Sequence, residues 1–245
     1  MKNTALVTGA SSGIGRDLAR LHAAQGGDLV LVARSGDALD NLKSELETKH
    51  GIAVVCLAED LTAEGAIERI HEAIKNENIE IEVLMTNAGF GGHGLFHERQ
   101  WAKDEAMIDL NVTALAKLTH VVLQDMVPRR RGKILNVAST AGMVPGPLQA
   151  TYYATKAFVL SFSQAIAEEL AESNITVTAL CPEPVRTGFA DRANMEGIDM
   201  FEKNAADSMT VAKVGYTAMQ KGKLVAINDW MLSIVLNWLV PLMPR

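Results

Sequence analysis

Within Thr151-Tyr152-Tyr153-Ala154-Thr155-Lys156 a phenol and an amine stand four residues apart. On a helix that spacing brings Tyr152 and Lys156 to one face, close enough to interact. A phenol beside an ammonium is an acid/base unit, because the positive charge favours phenolate. Tyrosine titrates near ~10, so work near neutrality needs a shift of roughly 3 units, or about 4 kcal/mol. One charge at about 4 Å in an effective dielectric near 20 supplies about 4 kcal/mol. Tyr153 has Ala157 at the same offset and lacks such a partner. Tyr152 is therefore the expected proton donor, with Lys156 expected to lower its pKa.

The elements that must hold this pair follow an alternating pattern. Ala5-Leu6-Val7 reads as a short strand, and Thr8-Gly9-Ala10-Ser11-Ser12-Gly13-Ile14-Gly15 follows it. Ile14, Leu18 and Leu21 then recur at helical spacing. Strand, glycine-rich turn and helix in that order form a dinucleotide-binding context, in which backbone N–H groups at a helix N-terminus approach a pyrophosphate. The second strand, 29–32, ends in Ala33-Arg34-Ser35. An acid there would accept the ribose 2′-hydroxyl of NAD, whereas an arginine can pair with the 2′-phosphate of NADP. The alternative for Arg34 is a solvated loop residue; NADP is favoured over NAD.

Helices are expected near 37–49, 64–75 and 100–126, and from the Tyr152 segment to about 170. Strands are expected at 52–57, 83–86, 133–137, 175–180 and 224–227. Such alternation with short connections implies an α/β fold, a doubly wound parallel sheet of Rossmann type in a single domain. Asn111 falls in mid-helix, where asparagine is locally unfavourable and marks a kink or a bound water. The stretch 188–206 lacks periodicity and, with a few residues more (188–210), is expected to form a substrate-covering loop.

The 245 residues carry a formal net charge of −6, which argues against nucleic-acid partners. The one basic run, Arg129-Arg130-Arg131 with Lys133, sits where a helix ends and reads as solvated cations at its dipole. Cys56 and Cys181 lie in apolar runs and read as reduced, buried thiols. His93 and His97 have no third ligand nearby, so no metal is expected. The N-terminus enters a strand pattern without a signal-peptide core, and the cytoplasm is the default expectation.

With these pieces in this order, the chain resembles the short-chain dehydrogenase/reductase family from Leu6 to about Ile227, most closely the NADP-type bacterial reductases. The resemblance implies an enzyme that transfers a hydride between NADP(H) and a ketone or secondary alcohol. It implies a catalytic group of Asn111, Ser139, Tyr152 and Lys156. Ser139 would hydrogen-bond the substrate oxygen, Tyr152 would transfer the proton, Lys156 would hold the nicotinamide ribose, and Asn111 would keep a relay water. Cofactor contacts are implied for Gly9, Ser11, Ser12, Gly13, Ile14, Gly15 and Arg34. Asp60 and Leu61 resemble an adenine-contacting pair, Asn87-Ala88-Gly89 the ribose side, and Pro182, Val185 and Thr187 the nicotinamide side. The family usually has Asn at Thr86 and Pro-Gly at Pro182-Glu183, where glutamate adds bulk and negative charge. A homodimer or homotetramer is usual there. The contrasting reading is a non-catalytic dinucleotide-binding redox sensor that acts through a protein partner; a sensor has no need of Ser139, Tyr152 and Lys156 together.

Phe90, Met143, Leu148, Phe189, Met200 and Phe201 are candidate pocket residues and suggest an apolar ligand. In 229–240 the polar residues Asp229, Ser233 and Asn237 form one narrow stripe on an otherwise apolar helical pattern. Twelve residues span about 18 Å, short of a ~30 Å hydrocarbon core, so no transmembrane segment is expected. This tail is expected to cover the pocket or a second subunit.

Overall fold

The computed structural model describes residues 1–186 and 206–229. The expected Thr187, Phe189, Met200 and Phe201 contacts, most of the substrate loop and the apolar tail lie outside the described residues.

Short apolar runs form strands and the amphipathic stretches between them form helices. In chain order these are β1 (Thr4–Thr8), α1 (Gly13–Ala24), β2 (Leu29–Ala33), α2 (Gly36–His50) and β3 (Val54–Ala58). There follow α3 (Ala66–Asn76), β4 (Ile81–Thr86), α4 (Trp101–Ile108), α5 (Leu115–Arg129) and β5 (Gly132–Val137). The chain continues through α6 (Ala150–Glu169), β6 (Ile175–Cys181), β7 (Val185–Arg186), β8 (Ala206–Asp207), α7 (Ser208–Gln220) and β9 (Val225–Ile227). Among the described residues, seven strands make one sheet in the order β3-β2-β1-β4-β5-β6-β9, every pairing parallel. Because β1 sits between β2 and β4, the strand order reverses there, and a crevice opens at the carboxyl ends of the two strands.

Both faces of the sheet are covered, as parallel strands require. On one face Leu18 and Ala19 of α1 and Leu39, Leu42 and Leu46 of α2 pack on β1, β2 and β3, while Val211 and Met219 of α7 pack on α1, β5 and β6. On the other, Ile67, Ile70 and Ile74 of α3 and Leu118, Val122 and Met126 of α5 form one cluster with Leu6 of β1, Val30 of β2, Leu84 of β4 and Ile134 of β5. Polar ties add direction to this packing. Ser208 Oγ donates to the buried Asp17, and His22 Nδ1 lies 3.0 Å from the Tyr216 hydroxyl, so two side chains of α1 hold α7.

Four expectations need correction. The 100–126 helix does not run straight: a π-helix, Asp109–Ala114, separates α4 from α5 and carries Asn111. The expected loop 188–210 gives way at Ala206 to β8, and at Ser208 to α7, whose first turn Asp207 caps by accepting from Thr210 N at 3.0 Å. Arg129 is not merely solvated: its guanidinium donates to Ile81 O at 2.9 Å and so holds the start of β4. Cys56 is half-buried on the sheet's edge strand; Cys181 is fully buried, and burial pushes its thiol up to about 12, which leaves it inert.

Candidate active site

The turn after β1 is built for close approach. Gly9 and Gly13 adopt φ of +65° and +54°, the left-handed region that favours glycine. Gly15 serves packing: a Cβ there would run into the Gly9 carbonyl and the Asn87 amide. Asn87, at the end of β4, donates to Thr8 O and Gly9 O at 3.1 and 3.3 Å. The Thr8 hydroxyl in return accepts from Asn87 N and Ala88 N at 3.0 and 3.1 Å. These bonds lock the glycine turn to the Asn87-Ala88-Gly89 turn across the switch point.

Beneath this crevice, Thr86 occupies the position where the resembled family has asparagine. Its hydroxyl donates to Asn136 Oδ1 at 2.7 Å; Asn136 donates to Ser163 Oγ at 2.9 Å, and Ser163 to Val159 O at 2.7 Å. A fully satisfied polar chain thus ties β4, β5 and α6, so threonine serves as scaffold here.

Ser139 follows β5. Its Oγ accepts from Ala141 N at 3.1 Å and donates weakly to Pro182 O at 3.4 Å. Thr140 N also donates to Pro182 O, at 3.1 Å, so the ends of β5 and β6 are joined. Tyr152 and Lys156 share one face of α6. The ammonium is buried, donates to Val137 O at 2.9 Å and lies 5.9 Å from the centre of the Tyr152 ring. The Tyr152 hydroxyl is hydrogen-bonded to Ser139.

The expected depression of the tyrosine pKa is corrected by this geometry. Burial pushes Tyr152 up to about 12 against the opposing Ser139 bond. The same burial pulls Lys156 down to about 8. Desolvation of both groups outweighs their attraction, because the ammonium addresses the ring and Val137 O.

Asn111 stands behind the pocket, not on its wall. From the π-helix its Oδ1 accepts from Phe90 N at 3.1 Å, and its Nδ2 donates to Phe90 O at 2.9 Å and Thr155 Oγ1 at 3.1 Å. Thr155 then donates to Tyr152 O at 2.7 Å. The side chain thus clamps the Phe90 loop to the Tyr152 turn. A Cβ on Gly89 would meet Asn111 Oδ1 at 2.8 Å, which explains the glycine.

One cleft of about 720 Å³ connects these groups. Gly9, Ser11, Ser12, Gly13 and Ile14 line one part; Arg34, exposed at its lip, stands with Asp60 and Leu61. Asn87, Ala88 and Gly89 line the middle, and Ser139, Tyr152, Lys156, Pro182 and Val185 the far end. A glycine cradle at a helix N-terminus, a base at the lip and an acid/base pair beyond fit an elongated nicotinamide dinucleotide. Gly15 and Asn111 do not line it. Of the apolar candidates, Phe90 does; Met143 packs on the core beside α6, and Leu148 is exposed, its carbonyl accepting from Gly94 N at 2.8 Å.

Sequence reasoning missed Gln149 and Tyr153 as wall residues. The Tyr153 ring meets Tyr152 edge-on at 6.1 Å, a contact that adjacency in sequence could have suggested. It also missed Arg99, which pairs with buried Asp104 at 2.9 Å and donates to His93 O at 2.8 Å.

Comparison with known proteins places this arrangement. Residues 3–223 match the short chain dehydrogenase family. A short-chain dehydrogenase from Sphingobium yanoikuyae, solved in complex with NADPH, superposes with a TM-score of 0.89 at 35% identity, covering 98% of this chain and 92% of that one. The bulky-bulky ketone specific alcohol dehydrogenase from Comamonas testosteroni gives 0.83 at 28% identity, covering 99% and 95%. The very-long-chain 3-oxoacyl-CoA reductase of Macaca fascicularis is 31% identical over 244 residues, which span 96% of this chain and 76% of that protein. With sequence and fold agreeing across almost the whole length, the chain belongs to the short chain dehydrogenases, a family of oxidoreductases.

Proposed function

We propose that this protein is an NADP(H)-dependent carbonyl reductase acting on apolar ketones and, in reverse, on secondary alcohols. The observation that carries the reading is the single cleft in which Ser139, Tyr152 and Lys156 stand at one end and the glycine turn and Arg34 at the other. Arg34 follows β2, whose end, Ala33-Arg34-Ser35, carries no acid to take a ribose hydroxyl, and the solved relative with NADPH supports the same cofactor. The similar enzymes named for bulky ketones and for long-chain 3-oxoacyl thioesters support an apolar carbonyl substrate.

In this reading the Gly9–Gly13 turn and the N-terminus of α1 hold the pyrophosphate, Asp60 and Leu61 the adenine, and Arg34 the 2′-phosphate. Asn87-Ala88-Gly89 takes the adenosine side, Lys156 the nicotinamide ribose, and Pro182, Val185 and Thr187 the nicotinamide. When bound, the reduced cofactor supplies the hydride for the carbonyl carbon. The Ser139 hydroxyl turns from its long bond to Pro182 O to donate to the substrate oxygen. Tyr152, protonated at neutral pH, gives that oxygen its proton, and the Lys156 charge stabilises the phenolate left behind. Asn111 keeps Tyr152 and the Phe90 wall in register. We further place the protein in the cytoplasm as a homodimer or homotetramer; the exposed Phe158 and Val127 on α6 and α5 support a subunit contact, and light scattering gives the mass.

The test is oxidation of NADPH with a panel of bulky apolar ketones, followed by absorbance. Tyr152→Phe should abolish turnover and leave NADPH binding intact, whereas Tyr153→Phe should retain substantial activity. Equal loss in both variants would remove Tyr152 from the proton-donor role.

A further inference from the structure

Among the described residues three acidic ones, Glu59, Asp60 and Glu183, belong to the lining of the cleft, and the carboxylates of two are engaged by the fold. Glu59 pairs with Arg69 at 2.9 Å, and Asp60 accepts from the Thr62 hydroxyl at 2.7 Å. Glu183 differs. Its backbone N–H donates to Asn228 Oδ1 at 3.1 Å and fixes the turn, but its carboxylate Oε1 is buried with no hydrogen-bond partner among the described residues. The Pro182 carbonyl bonded to Thr140 N holds it beside Ser139, at the Tyr152 end of the cleft. Burial and the neighbouring Asp229 push its pKa up. A carboxylate under both pressures gains most from a cation placed next to it.

We propose that Glu183 is a charge-selecting residue of the cofactor site, favouring the oxidised nicotinamide, whose ring is cationic, over the neutral reduced form. This rests on the NADP(H) reading above. The two cofactor forms share their adenosine, phosphates and riboses, so the glycine turn and Arg34 bind both alike. A fixed negative charge at the nicotinamide end is the kind of group that can tell them apart. Tighter holding of the oxidised form draws the equilibrium on the enzyme toward the alcohol and slows departure of the spent cofactor.

Dissociation constants for NADP+ and NADPH, measured separately at pH 8 by titration calorimetry, test this on the wild type, Glu183→Gln and Glu183→Gly. Gln keeps the shape, and Gly is the residue usual at this position in the resembled family, so one variant serves if the other fails to fold. Removing the charge should weaken NADP+ relative to NADPH by about tenfold, the scale of one partly screened charge pair at about 6 Å. Both nucleotides binding with an unchanged ratio would overturn this inference and leave the NADP(H) reading standing. A wild type that binds neither nucleotide would overturn both.

Discussion

In the proposed reading Tyr152 and Lys156 set the chemistry, and their pKa values are displaced in opposite directions. With Tyr152 up at about 12, the phenol holds its proton across the physiological range and is ready to donate. With Lys156 down at about 8, the ammonium that must stabilise the phenolate is lost just above neutrality. Ketone reduction at saturating NADPH should therefore be level below about 8 and fall as pH rises through that value. A rate profile against pH reads the break, and Lys156→Met should give a low, featureless profile. The same displacements act on stability. The unfolded chain holds the lysine proton that the folded protein releases between about 8 and the ordinary 10.5, so over that window Lys156 makes the folded state gain stability as pH rises. Between the ordinary 10.0 and about 12 Tyr152 does the reverse, because only the folded state keeps its proton.

The elements around the pair owe their precision to clamps at loops. The Phe90–Gly94 loop is held at three points: Asn111 on Phe90, Arg99 on His93 O, and Leu148 O on Gly94 N. Arg99 packs so closely on this loop that a Cβ on Gly92 would strike its guanidinium. Side chains of Arg99 and Asp104 are 14% and 2% exposed, so removing one partner strands a buried charge. Arg99→Ala should cost about 3–5 kcal/mol in denaturant unfolding. Replacing both partners with apolar residues should recover most of that loss. Strand and helix types were legible wherever apolar period and flanking glycine agreed, as in β1, the Gly9–Gly15 turn and α1. The π-helix was legible only as an awkward Asn111, because its extra residue per turn leaves the apolar pattern nearly unchanged. Helix α7 carried an Asp207 cap and buried Val211, Ala212, Tyr216 and Met219 at helical spacing, yet Gly215 weakens such a reading. That glycine exists because a Cβ would meet the Leu180 side chain, a contact visible only in three dimensions. Arg99 escaped notice for a similar reason: its partner Asp104 is a buried acid on α4 that reads in sequence as a surface charge.

At the scale of the molecule, cofactor binding couples distant halves of the sheet, since the cleft draws on turns after β1, β2, β3, β4, β5 and β6. Ligand at a hundred times its dissociation constant adds about 2.7 kcal/mol to stability. For a domain of this size each kcal/mol raises the melting temperature by about 2–4 °C. NADPH should thus raise it by about 5–10 °C in a thermal scan, with NADH at the same concentration giving much less. Arg34→Ala, which forfeits a charged hydrogen bond of about 1.5–3 kcal/mol, should cut the NADPH shift to less than about half and leave the NADH shift alone. An equal loss for both nucleotides would remove Arg34 from 2′-phosphate recognition. The central position of β1 has a further consequence, for synthesis. Its residues Thr4–Thr8 leave the ribosome before those of the other strands, and β2 and β3 can pair on one side by the time Ala58 has emerged. The other edge pairs with β4, so it must wait for Ile81–Thr86. At about 5–20 residues per second that wait lasts on the order of seconds. Throughout it, Ala5, Leu6 and Val7, which end wholly buried, form an open, uncharged strand edge of the kind that nascent chains aggregate through and that chaperones cover.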